Sequence, residues 1–136
     1  MSDDRSAGST HSDASALTGL KVLVVEDEAL VSMLLEDMLA DHGCEVAATA
    51  SRLSQAMELV SDEKVAFDAA ILDVNLGGDA IFPVAEVLAA RGAPFVFATG
   101  YGAGGLPESW RDRPTLQKPF NQRDVGVALT EAVRRA

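Results

Sequence analysis

The chain predicts an α/β domain, a parallel five-stranded sheet with helices on both faces, because it reads as five strand-then-helix units in succession. Two features of one stretch support this. Ala69-Ala70-Ile71-Leu72 is continuously apolar, as in a strand buried on both faces, rather than alternating as in a strand with one wet face. It ends in a carboxylate, Asp73, followed at once by turn residues, which puts that acid at the carboxyl end of a strand, where open α/β sheets bind ligands.

A length of 136 residues with 48% hydrophobic and 24% charged side chains suits one domain around a single core. Acids outnumber bases 21 to 11, for a formal charge of -10, so phosphate-rich nucleic acid and anionic membrane surfaces are disfavoured as partners and a cation or a basic protein surface is favoured. The single cysteine, Cys44, has no internal disulfide partner, and no apolar run approaches the roughly 20 residues of a membrane span. Without a basic segment and apolar stretch at the N-terminus, the protein is expected to be cytoplasmic.

Residues 1–19 have the Ser, Asp, Ala and Gly composition of a disordered tail, and the domain is expected to occupy 20–136. Lys21 to Val25 is the first strand. A helix follows from Glu28 to His42, with Leu30, Val31, Leu34, Leu35 and Met38 at helical spacing and Gly43 as its stop. Glu45 to Thr49 is the second strand, and a helix from about Arg52, capped by Ser51, carries Leu53, Ala56, Met57 and Val60 on one face. After the central strand ending at Asp73, a helix runs from about Pro83, a residue suited to a first turn, to Arg91 and is closed by Gly92. Pro94 to Thr99 is the fourth strand. The crossover from Gly100 to Pro114 is rich in glycine and has proline at 107 and 114, so any helix there is short, near Pro107 to Asp112. Thr115 to Gln117 is the last strand, and a closing helix from Asn121 or Gln122 to Arg135 buries Val125, Ala128, Leu129 and Ala132.

Parallel strands bring their carboxyl ends to one edge, so Glu26, Asp27, Asp73, Thr99 and Lys118 are predicted to meet in one pocket. Three carboxylates there call for a cation. With oxygen donors and neither Cys nor His among them, the ion is a hard one such as Mg²⁺, contacted by Asp27 and Asp73 with Glu26 acting directly or through water. Lys118 and the Thr99 hydroxyl then serve an anionic group attached at Asp73, as a point charge and a donor. A carboxylate nucleophile with these partners amounts to phosphoryl transfer onto Asp73, giving an acyl phosphate.

From Lys21 to about Arg135 the chain resembles a response-regulator receiver domain. The residues that carry the resemblance are Val24-Val25-Glu26-Asp27-Glu28, Ile71-Leu72-Asp73-Val74-Asn75, Ala98-Thr99-Gly100 and Lys118-Pro119-Phe120. Each motif is weak alone; their order and spacing together are highly specific. The resemblance implies the flavodoxin-like strand order 2-1-3-4-5, Asp73 as phosphoacceptor, Glu26 and Asp27 as the acidic pair, a main-chain carbonyl of Asn75 for Mg²⁺ or Mn²⁺, Thr99 as switch hydroxyl, Lys118 as the site lysine and a cis peptide before Pro119. It further implies a switch or relay protein rather than an enzyme, with slow self-dephosphorylation, fed by a histidine kinase or a histidine phosphotransfer protein. The first helix and the loop after Lys118 would meet that donor, and the fourth and fifth crossover elements would signal to a downstream protein partner. A monomer is expected. Because no output module follows the closing helix, a stand-alone receiver is expected.

One position departs from the family pattern. Receivers usually carry Tyr or Phe three residues before the lysine, and Thr115 stands there. Phe97-Ala98-Thr99-Gly100-Tyr101 is similar to a subgroup of receivers marked by that motif, several of them stand-alone proteins of bacterial general-stress signalling, and Tyr101 is expected to move with Thr99 in place of the missing aromatic.

Taken singly, these residues have ordinary explanations. Acids 26–28 suit a helix N-terminus, Asp73 a turn, and Lys118 a surface; that all should be ordinary together is improbable. For His11, His42 and Cys44 the ordinary explanation holds, and Phe82 and Trp110 are open between packing and partner contact. Glycines 102, 104 and 105 lack the Lys-Ser/Thr of a phosphate-binding loop. A haloacid-dehalogenase-type phosphohydrolase shares the residue types, but there the nucleophile comes on the first strand as Asp-x-Asp. A receiver that binds without phosphorylation would usually lack a site residue.

Overall fold

A computed structural model describes residues 17–135. Five strands form the main sheet: β1 (Lys21–Val25), β2 (Glu45–Ala50), β3 (Ala69–Asp73), β6 (Phe95–Thr99) and β7 (Thr115–Gln117). A hairpin, β4 (Asn75–Leu76) with β5 (Asp79–Ala80), interrupts the alternation. The helices are α1 (Ala29–Asp41), α2 (Leu53–Ser61), α3 (Phe82–Arg91) and α4 (Gln122–Arg135). Sheet order is β2-β1-β3-β6-β7 with every neighbouring pair parallel, which is the expected 2-1-3-4-5 when the hairpin strands are left out of the count.

The pleat sorts side chains onto two cores. Val22, Val24 and Ile71 face α1 and α4, where Leu35, Leu39, Val125 and Leu129 cover them. Leu23, Val25, Ala70 and Leu72 face the other way, against Ala56 and Val60 of α2 and Val84 and Leu88 of α3. Every residue of β3 and β6 is buried, which is why both read as continuous apolar runs. Gly92 ends α3 in the left-handed conformation at φ 71°, the stop expected of it. At the start of α4, the Asp124 N–H donates to Asn121 Oδ1 and the Asn121 N–H to Asp124 Oδ2, a reciprocal cap that fixes the helix just beyond Lys118.

The fourth crossover holds only short helical pieces, as expected near Pro107 to Asp112: they are 3₁₀ turns at Ala103–Gly105 and Glu108–Trp110, because glycine loses too much backbone freedom in a longer helix and proline interrupts it. An aromatic cluster does the packing instead. Trp110 stacks on Phe82 at 6.3 Å between ring centroids and meets Phe97 and Phe95 edge-on at 5.7 and 6.0 Å, so both Phe82 and Trp110 serve the core. Ser51 does not cap α2: the cap position falls one residue later, on Arg52, and the Ser51 N–H donates to Gln55 Oε1. On α1 the buried residues are Leu35 and Leu39, while Leu30 and Leu34 are 68% and 47% exposed, since the helix turns only one edge of its broad apolar surface to the sheet. Residues 1–16 of the expected tail lie outside the described residues; of the remainder, Leu17 is buried and its carbonyl accepts from Cys44 Sγ. Cys44 is itself buried.

With only 3₁₀ turns to hold it, the crossover depends on Trp110. Trp110→Ala should cost about 2 kcal/mol, below the range for a fully enclosed aromatic because this ring is half-exposed. Chemical denaturation followed by far-UV circular dichroism checks it.

Candidate functional site

Each site residue is set by a strand end. Glu26 follows β1, and its N–H still donates to Ala50 O of β2, so the sheet continues to the lip of the pocket. Its Oε2 accepts the Glu28 N–H at 3.2 Å, which ties the carboxylate to the entry of α1. Asp27 is exposed, and its Oδ2 accepts the Gly77 N–H at 3.0 Å from the turn of the β4–β5 hairpin. Asp73 is the last residue of β3, and Oδ1 takes a long contact of 3.4 Å from the Asn75 N–H. The Asn75 side chain is engaged elsewhere, Oδ1 accepting from the Gly78 N–H. Thr99 ends β6; its carbonyl accepts the Lys118 N–H at 2.8 Å and its Oγ1 accepts the Tyr101 N–H at 3.1 Å. The Lys118–Pro119 peptide is cis.

The four predicted charged residues converge, and Thr99 ends the strand beside Asp73. Lys118 Nζ lies 3.3 Å from Glu26 Oε1 and 3.4 Å from Asp73 Oδ2. One carboxylate oxygen from each of Glu26, Asp27 and Asp73 lies within 4.8 Å of the others. Glu26 is 3%, Asp73 5% and Thr99 6% exposed, so the charges sit under the sheet edge rather than on it. Glu26 Oε1 is buried without a hydrogen bond: the ammonium is near enough for ionic attraction but poorly angled for donation. Tyr101 does not enter the pocket and is 84% exposed. Thr115, at the position of the missing aromatic, donates its hydroxyl to Arg113 O.

Crowding and burial displace the titrations. Burial first, then the Asp73 charge, push the Glu26 carboxyl up to about 7. Burial also raises Asp73, opposed by the Lys118 charge. For Lys118 burial works against the charged form, but the Asp73 and Glu26 carboxylates outweigh it and hold the ammonium above its ordinary range. Asp27, exposed but partly desolvated by its neighbours, is lowered nonetheless, through hydrogen bonding with the Asp73 carboxyl and the Gly77 N–H.

The hairpin is the part of the site that sequence reasoning passed over. Gly77 and Gly78, read only as turn residues, are the two central residues of a tight hairpin with φ of 57° and 98°. The dipeptide Gly-Gly between short paired segments is a signal for that turn, and only its two-residue strands hid it.

A parallel sheet of this order, with paired acids after its first strand, an acid after its third, a hydroxyl after its fourth and a lysine after its fifth, defines a receiver-type signalling domain. The model for the response regulator receiver domain matches residues 22–104, and the chain belongs to that family. It is 46% identical to SdrG from Sphingomonas melonis Fr1, whose solution structure superposes with a TM-score of 0.75 over 85% of this chain and 97% of that one. The receiver domain of the PhyR response regulator from Erythrobacter litoralis is 32% identical, with a TM-score of 0.71 over 88% of this chain and 93% of that one. The transcriptional regulatory protein PdtaR of Mycobacterium tuberculosis is 36% identical over 90% of this chain, which spans 61% of that protein's length. The family's motif order sets aside the dehalogenase-type alternative. Among the described residues, no helix is long and apolar enough to cross a membrane.

The raised Glu26 titration has a sign that can be measured. An acid whose folded value lies near 7, against an ordinary 4.5, leaves stability unaffected below 4.5, lowers it progressively between the two values and lowers it fully above 7. A cation held by these acids would offset that loss. Mg²⁺ should therefore raise the melting temperature more at about pH 8 than at about pH 5.5; an equal or reversed gain in scanning calorimetry would contradict this.

Proposed function

We propose that the protein is a phosphorylatable switch that takes a phosphoryl group onto Asp73 from the phosphohistidine of a histidine kinase or a histidine phosphotransfer protein. The observation that carries this reading is the meeting of Asp73, Lys118, Glu26 and Asp27 at one sheet edge, with Thr99 ending the strand beside Asp73. In this reading the receiver domain spans 20–136 and works in the cytoplasm.

The donors fit Mg²⁺ or Mn²⁺: all are hard oxygens, and the unsatisfied Glu26 Oε1 lacks a positive neighbour of good geometry. Glu26, Asp27, Asp73 and the main-chain carbonyl of Asn75 would hold the ion, whose charge would neutralise the phosphoryl oxygens and so let an anionic nucleophile approach an anionic group.

An Asp73 oxygen attacks phosphorus in line. The O–P bond forms as the P–N bond breaks, and the electron pair returns to the imidazole nitrogen of the donor, leaving an acyl phosphate. Lys118 Nζ, already 3.4 Å from Asp73 Oδ2, turns to the new phosphoryl oxygens. The Thr99 hydroxyl donates to another of them. To do so it rotates away from the Tyr101 N–H it now holds at 3.1 Å, which frees Tyr101 and the glycine-rich segment 100–105 to rearrange. That rearrangement, with the exposed face of α4, forms the signal to a downstream protein partner. Similarity to the receiver domain of PhyR, a protein described as a stress response regulator, supports a role in stress signalling.

Leu30, Met33 and Leu34 are exposed on α1, just past the acidic loop, and suit the apolar surface of a helical phosphodonor. Replacing Leu30 and Met33 by Glu should slow transfer from a phosphohistidine protein at least tenfold while leaving labelling by a small acyl phosphate within about twofold. Equal loss with both donors would remove α1 from the docking surface.

Intact mass after incubation with a small acyl-phosphate donor tests the reading as a whole. One phosphoryl group should add to the wild type with Mg²⁺, none in chelator and none to Asp73→Asn. Steady release of inorganic phosphate without an adduct would overturn the switch in favour of a phosphohydrolase.

A further inference from the structure

We propose that the β4–β5 hairpin holds the Asp27 carboxylate in place through the Gly77 main-chain N–H, and so completes the cation site from a loop that contributes no side chain to it. This deepens the proposed function and rests on its reading of Asp27 as a cation ligand.

Asp27 differs from its two acidic neighbours in lacking burial. Glu26 and Asp73 are locked under the sheet edge, whereas Asp27 is exposed and would sample several rotamers if nothing held it. Besides its hydrogen bonding with the Asp73 carboxyl, Asp27 is held by a main-chain donor 50 residues away: Gly77 N–H to Asp27 Oδ2, 3.0 Å. One oxygen is thereby engaged by a neutral donor while the carboxylate remains beside Asp73 and Glu26.

The donor is itself fixed. Leu76 is 2% exposed, Ile81 is fully buried and its N–H donates to Val74 O, so both ends of the hairpin are anchored in the core. Across the turn, Asn75 Oδ1 accepts the Gly78 N–H at 2.9 Å, and Asn75 pairs with Ala80 and Leu76 with Asp79. With φ at 57°, Gly77 directs its N–H at Asp27 in a conformation that L side chains other than Asn and Asp seldom take. Space is not the constraint, because a Cβ at Gly77 would meet Asp27 Oδ2 at an ordinary 3.9 Å. The glycine is needed for its dihedral, and the dihedral for the direction of its N–H. Groups that orient metal ligands in this way commonly govern affinity nearly as strongly as the ligands do.

The hairpin can be tested from both ends of the contact. On the cation side, Mn²⁺ affinity measured by calorimetry should fall about tenfold in Gly77→Val, which disfavours positive φ, and stay within about threefold of wild type in Gly77→Asn, which tolerates it. On the hairpin side, Asp27→Ala removes the acceptor of the Gly77 N–H and leaves the hairpin sequence intact. Without added cation it should speed hydrogen exchange of the Gly77 amide at least tenfold while the Gly78 amide, held by Asn75, keeps its rate. Wild-type Mn²⁺ affinity in Gly77→Val, or a Gly77 amide indifferent to Asp27→Ala, would overturn the proposal. Should Gly77→Val fail to fold, the exchange measurement decides. A wild-type chain that bound no Mn²⁺ would instead overturn the cation reading itself, and this proposal with it.

Discussion

One ammonium group, Lys118 Nζ, stands 3.3 and 3.4 Å from two buried carboxylates, and the rest of the architecture can be understood as the means of keeping it there. Attraction between opposite charges is strong in a low-dielectric pocket, but desolvation nearly cancels it, and with Asp27 the acids outnumber this lysine. The pocket is therefore poised rather than stable. Its unsatisfied Glu26 Oε1 and upward-shifted carboxyl titrations are two expressions of that imbalance.

Rigid elements hold the charges together. β3 and β6 are buried along their whole length, and β1 between β2 and β3 carries Glu26 to the same edge. Lys118 is placed by main chain, its N–H on Thr99 O, so the lysine backbone and the Thr99 hydroxyl share one strand pair. The exposed surface lies elsewhere, on the glycine-rich crossover after Thr99 and on the outer face of α1. A site that stores repulsion and a core that tolerates it are the common trade between stability and function.

The fold was legible because period carries it. Ala69 to Leu72 and Phe95 to Ala98 could hardly lie anywhere but in the middle of a sheet, and Val125, Ala128, Leu129 and Ala132 mark the buried side of α4. The site was legible for a related reason: Asp73 and Thr99 end apolar runs and Lys118 follows the short last strand directly, so parallel pairing alone brings the three strand ends together. What escaped was decided by contacts rather than by period. Leu30 and Leu34 share helical spacing with buried residues, yet the angle at which α1 meets the sheet exposes them. The crossover packs through Trp110 on Phe82, an aromatic contact between residues 28 positions apart that no local pattern announces. Ser51 has the chemistry of a cap one residue too early. The hairpin at Gly77 hid because two-residue strands carry no readable alternation.

The claim that the pocket is strained by its own acids and relieved by a cation is tested most directly by melting wild type and Asp73→Asn in chelator and in saturating Mg²⁺ at about pH 8. Neutralising Asp73 removes one of the crowded charges, so the variant should melt higher than wild type in chelator and gain little from Mg²⁺, while wild type gains several degrees. A variant that melted lower in chelator and gained as much from Mg²⁺ as wild type would contradict the account.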